Sequence, residues 1–275
     1  MNLLNIVNEI EGVEQGIHDR LNPRRMAIKG MFNFGSKVAL AAMPFALGSF
    51  FNKAYAQAPG SVKDILNFAL TLEYLEAEFY SKGVAANGLI PAGPALGAMT
   101  TIRDHENQHV DFLKTALGAD AVSKPEFDFT AGGAFGDVFS NYDTFLALAQ
   151  VFEDTGVRAY KGQAGGLISN KDVLTAALNI HSVEARHASH LRQMRRARGG
   201  AASELKPWIT GANDTGIGAA VDAIYVGEDN KTQAGLDITQ LQGVGGKLSA
   251  DAATESFDEP LSAEAVLAIV GPFIV

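Results

Sequence analysis

From residue 62 onward, apolar residues recur every three or four positions in four stretches, about 62–82, 96–117, 142–163 and 171–198. That spacing gathers them on one face of a helix, so the pattern predicts four helices, each with a core-facing stripe. The connections after the first and third stretches are short, which makes each pair of helices antiparallel. Between the pairs runs a linker of roughly twenty residues, "GADAVSKPEFDFTAGGAFGD", long enough to cross the length of a bundle. The expected fold is therefore all-α: a four-helix bundle over residues 57–200 with a long crossover between helices 2 and 3. Residues 201–275 lack a long amphipathic period. "LSAEAVLAIVGPF" predicts one short apolar helix there, in an otherwise irregular C-terminal extension packed on the bundle.

Each stripe is broken at mid-helix by a polar residue. The first reads Leu66, Leu70, Glu73, Ala77, Tyr80, and the second Met99, Ile102, Glu106, His109, Leu113, Ala116. The third reads Leu146, Ala149, Glu153, Gly156, Tyr160, and the fourth Ala177, Ile180, Glu184, His187, Leu191, Met194. The order is thus Glu, Glu-x-x-His, Glu, Glu-x-x-His. There is an internal repeat as well: "EYLEAEFY" and "EDTGVRAY" share Glu-x6-Tyr, and a Glu-x-x-His follows each about thirty residues later. Composition alone predicts about 0.3 chance Glu-x-x-His pairs in such a chain. Two occur, both in the expected helices.

The chemistry accounts for the spacing. Residues three apart share a helix face, so one turn can present a carboxylate and an imidazole to the same ion. An unpaired carboxylate is too costly to bury, so four brought together need cations or several protons. Two divalent ions cancel four carboxylates, with the imidazoles neutral. The chain has no cysteine, which excludes disulfides, thiolate metal sites and cysteine nucleophiles. Oxygen and imidazole donors suit iron or manganese, and zinc less well. The competing reading is a set of buried ionic pairs in a bundle without metal. Glu76 and Glu78 fall off the stripe and are expected in solvent, with a place among the ligands as the alternative for Glu76. His105, His181 and His190 are expected at the surface or behind the ligands. Arg192, Arg195, Arg196 and Arg198 crowd the last turns of the fourth helix, where cations meet the negative end of its dipole.

The formal charge is −9, which argues against nucleic acid as a partner. The first 56 residues read as an export signal: Arg24–Arg25 in "NPRRMAIKG", the 14-residue apolar run "VALAAMPFALGSFF", and a small-x-small cleavage site at "AYAQ". The paired arginines resemble the signal of the bacterial twin-arginine route, which implies a periplasmic or otherwise exported protein. An N-terminal membrane anchor is the alternative, but 14 residues are short for a span. No stable membrane span is expected in the mature form.

Through "LTLEYLEAEFY", "DHENQHVDFL" and "HSVEARHASHL" the chain resembles ferritin-like di-metal carboxylate proteins, and among them exported bacterial ferritin-like domain proteins related to desiccation-associated ones. The likeness covers about 61–198. It implies a ferritin-like bundle holding two divalent metal ions, iron or manganese. By position, Glu73 and Glu153 would each serve one ion, Glu106 and Glu184 would bridge both, and His109 and His187 would cap one each. Tyr80 and Tyr160 would lie near the metals, where a redox role competes with that of ordinary core aromatics. Oxygen or peroxide is then the expected substrate, in a redox or oxidative-stress role, and a homodimer is compatible with the bundle. Iron sequestration and a structural role under drying, without catalysis, are the other classes that the likeness leaves open.

Overall fold

Ser61 opens the first helix: its hydroxyl accepts a hydrogen bond from Asp64 N at 3.2 Å, closing one of the free N–H groups at the helix start. The structure is a computed structural model and describes residues 60–275. The export-signal reading of residues 1–56 lies outside the described residues. Four long helices follow: α1 (Val62–Ala85), α2 (Pro94–Leu117), α3 (Tyr142–Ala164) and α4 (Lys171–Arg198). Helix α2 begins two residues before the apolar pattern does, because Pro94 at its first turn supplies a helical φ and lacks an N–H that would be unpaired there anyway. Asn141 and Asn170 cap α3 and α4 through their side-chain oxygens.

Helix α1 packs mainly on α2, and α3 on α4, with further contact between α1 and α3. The fold is the expected all-α four-helix bundle with the crossover between its second and third helices. The two hairpins are covered unequally. Helices α2 and α4 keep exposed outer faces, whereas α1 is buried almost without a break from Ile65 to Ala77, and α3 from Leu148 to Tyr160. The crossover covers α1: Asn67 Nδ2 donates to Asp120 O at 3.0 Å and its Oδ1 accepts from Val122 N at 2.9 Å. Phe129, also from the crossover, packs 5.4 Å from Phe79, which stacks on Phe145 of α3 at 4.7 Å.

The extension covers α3. It carries short 3₁₀ turns, two two-residue hairpins, and helices α5 (Ala250–Thr254) and α6 (Ala263–Val270). The apolar helix expected near the end is α6, capped by Ser262. Helix α6 packs on α3 through Val266 and Val270, and Leu261 N donates to Arg158 O at 3.1 Å. Gly162 permits this approach: a Cβ there would lie 1.9 Å from Leu261 O. The chain end then pairs with the crossover, Asp128 N donating to Phe273 O and Val275 N to Glu126 O.

The arginines near the end of α4 divide in two. Arg196 and Arg198 are exposed, but Arg192 and Arg195 are buried. Arg192 pairs with Asp154 at 2.8 Å and Asp214 at 3.0 Å, and Arg195 donates to Thr215 O at 3.0 Å. Those two therefore tie the extension to the bundle, a role that the helix-dipole reading did not include. Among the described residues no helix is long and apolar enough to cross a membrane.

Candidate metal centre

The stripe residues of the four helices converge. Glu73, Glu106, Glu153 and Glu184 are fully buried, His187 is buried, and the side chain of His109 keeps 12% of its surface exposed. Each Glu-x-x-His pair lies on one face of its helix, so α2 and α4 each direct a carboxylate and an imidazole Nδ1 to the same point. His109 Nδ1 lies 3.1 Å from Glu106 Oε2 and 3.2 Å from both Glu73 Oε2 and Glu184 Oε1. His187 Nδ1 lies 2.9 Å from Glu106 Oε1 and 3.2 Å from Glu153 Oε2. Two four-residue clusters result, Glu73–Glu106–His109–Glu184 and Glu106–Glu153–Glu184–His187, with ligand atoms within 4.8 Å of one another in each. Glu106 and Glu184 belong to both.

The two tyrosines cross between the hairpins. Tyr80 of α1 donates to Glu153 Oε1 of α3 at 2.5 Å, and Tyr160 of α3 donates to Glu73 Oε1 of α1. Each phenol occupies one oxygen of its carboxylate. The other oxygen, Oε2 in both cases, is the one near the histidine.

Protons alone serve this arrangement poorly. One N–H cannot satisfy three carboxylates, and among the described residues Glu106 Oε1 and both oxygens of Glu184 are buried near an imidazole nitrogen yet accept no well-formed hydrogen bond. Orphaned acceptors of this kind are rare in native structures. Here they belong to the two shared residues, and they face oxygen and imidazole donors of the type that binds hard or borderline divalent cations. The residues thus fit divalent cations of this kind.

The electrostatics agree. Burial, then the charge of Glu184, pushes the Glu73 carboxyl up to about 8. Burial likewise raises Glu153 well above the usual range. Burial would also raise Glu184, yet the imidazoles of His109 and His187 beside it hold it at about 2. Desolvation opposes a charge on His109, but the carboxylates of Glu106, Glu184 and Glu73 around it push it up to about 12, and the carboxylates raise His187 as well. With no cation in the cluster, protons on the imidazoles and outer carboxylates hold its charge down.

Glu76 departs from expectation. It is 3% exposed rather than solvated, and burial, then Glu184 and the other three carboxylates, raises it well above the usual range. Aligning "EYLEAEFY" with "EDTGVRAY" would have revealed it, because Gly156 stands where Glu76 does and leaves room for its carboxylate. Glu78 is half-buried, paired with Lys82 at 2.7 Å and with Lys124. His105 Nδ1 lies 2.9 Å from His187 Nε2. His181 Nδ1 meets Val157 O at 3.0 Å, and His190 is exposed.

Residues 61–197 match the family described as the ferritin-like domain. No curated protein and no solved structure matches the chain.

Proposed function

Through residues 61–197 the chain belongs to the ferritin-like domain family, and from that premise we propose that it binds two divalent ions, iron or manganese, and uses them on dioxygen or peroxide in defence against oxidative stress. One observation carries the reading: two ligand clusters share Glu106 and Glu184, whose orphaned oxygens lie between the histidines. Glu73 and His109 would hold one ion, Glu153 and His187 the other, and the shared carboxylates both.

Bound iron or manganese supplies one-electron redox chemistry toward dioxygen or peroxide. The chain's own residues prepare the site for it. Tyr80 and Tyr160 fix the outer carboxylates so that one oxygen of each faces the centre. Burial of all four glutamates excludes bulk water and strengthens their charge interactions. Four carboxylates balance two divalent ions, while Glu76 beside them favours its protonated, neutral form. Export by the twin-arginine route, supported by Arg24–Arg25 and the apolar run after them, is part of the same proposal. That route carries folded proteins, so the metal would be chosen before export.

Metal analysis of protein purified without chelator tests the reading. About two iron or manganese ions per chain, lost in the His109→Ala/His187→Ala variant, are expected. Absence of stoichiometric metal even after anaerobic loading would reject it and leave a structural role under stress.

A further inference from the structure

The two halves of the candidate centre differ behind the ligands. His187 directs Nδ1 at the carboxylates and Nε2 outward, where it meets His105 Nδ1 at 2.9 Å with the rings stacked 5.2 Å apart and 14° from parallel. His105 is half-buried on α2, one residue before Glu106. The second motif has no equivalent: aligning "HENQH" (105–109) with "VEARH" (183–187) puts Val183 where His105 stands. Among the described residues the imidazole of His109 therefore lacks the partner that His187 has.

A histidine that ligates through Nδ1 must carry its proton on Nε2. That N–H then needs an acceptor, and an imidazole Nδ1 at 2.9 Å provides one. Such a bond fixes the tautomer and the ring plane of the ligand and increases its basicity. We propose that His105 is a positioning residue for His187 and makes the two ion positions unequal, the one built on Glu153 and His187 holding its ion more tightly. The proposal rests on the reading of the cluster as a two-ion centre.

The test is titration of the metal-free full-length protein with manganese(II), following the free ion by electron paramagnetic resonance. Wild type is expected to take up two ions per chain with separable affinities. His105→Phe keeps a ring for stacking but offers no acceptor. It should weaken the tighter ion about 10–100-fold and leave the other within about twofold. His105→Asn places an amide oxygen near the former Nδ1 and should restore most of the loss. An unchanged thermal midpoint of metal-free His105→Phe would show that the fold is intact. Equal affinities in wild type, no change in His105→Phe, or equal weakening of both ions would overturn the proposal. No uptake by wild type would reject the two-ion centre itself, and the role of His105 with it.

Discussion

Gly156 of α3 occupies the repeat position that Glu76 holds in α1, and a Cβ at Gly156 would lie 3.4 Å from Glu76 Oε1 and 3.7 Å from Glu184 Cγ. The nearest obstacle is the end of a flexible side chain, so one methyl can be accommodated. Gly156→Ala should therefore be neutral or stabilising by up to about 1 kcal/mol, the helix propensity gained. Gly156→Val adds two methyls against carboxylates that are packed in place, and should cost about 1–3 kcal/mol. Urea denaturation of the two variants checks the order. A larger loss for alanine than for valine would contradict it.

The crossed phenols invite a comparison. Tyr160→Phe leaves Glu73 Oε1 buried without its donor and should destabilise the metal-free protein by about 1–3 kcal/mol. Tyr142 is the control, because its hydroxyl oxygen is already buried without a partner. Tyr142→Phe should change stability by less than about 0.5 kcal/mol. Comparable losses in the two variants would mean that Tyr160 acts through packing alone.

Shared and unshared carboxylates should differ in metal stoichiometry. Glu106 and Glu184 belong to both clusters, Glu73 and Glu153 to one each. Replacing Glu106 or Glu184 with Gln should remove both ions, and replacing Glu73 or Glu153 only one. Elemental analysis distinguishes the patterns. Loss of one ion from every variant would mean that the shared residues do not bridge.

The metal-free protein should lose stability as pH rises above about 5. Glu73, raised from its ordinary 4.5 to about 8, keeps a proton in the folded state that the unfolded chain sheds, so its contribution falls across that window. His109, raised from 6.5 to about 12, stabilises fully below 6.5, and that stability is lost as pH climbs to 12. Glu184 runs the other way: its contribution is present above 4.5 and is lost as pH falls toward 2. Calorimetry with chelator should thus find the midpoint falling between about pH 5 and pH 9, while metal affinity rises because binding displaces these protons. A midpoint that rises over the same range would show that the cluster does not store protons.

The extension has its own test. Arg158, fully buried in α3, pairs with Glu228 at 2.8 Å and donates to the carbonyls of Ile224, Val226 and Glu259. Burial already pushes Glu228 up to about 7 with the arginine present. Arg158→Ala should cost about 3–5 kcal/mol, the usual result of leaving one buried charge without its partner. Proteolysis should then reach residues 219–262 first, and Arg158→Ala/Glu228→Gln should recover part of the loss. An Arg158→Ala protein as stable as wild type would exclude this pair as an anchor.

The helices, their pairing and the crossover were legible in the sequence because period and connection length are local properties. Glu106 with His109, and Glu184 with His187, were legible for the same reason, since three residues apart is one helix face. What lies behind each face depends on a neighbouring element and cannot be read from period. Glu76 falls off the stripe of α1 and belonged in water by that rule, yet the absent side chain of Gly156 on another helix draws it into the core. Arg192 and Arg195 looked like cations at a helix end, but the extension folds over them and turns them into buried ties. The sequence by itself determined four helices and the order of their carboxylates and imidazoles. Only the tertiary structure decided that Tyr80 would meet Glu153 and Tyr160 meet Glu73, that His105 would stand behind His187, and that a fifth carboxylate would be buried, because those contacts join residues from different helices and exist only once the helices are packed.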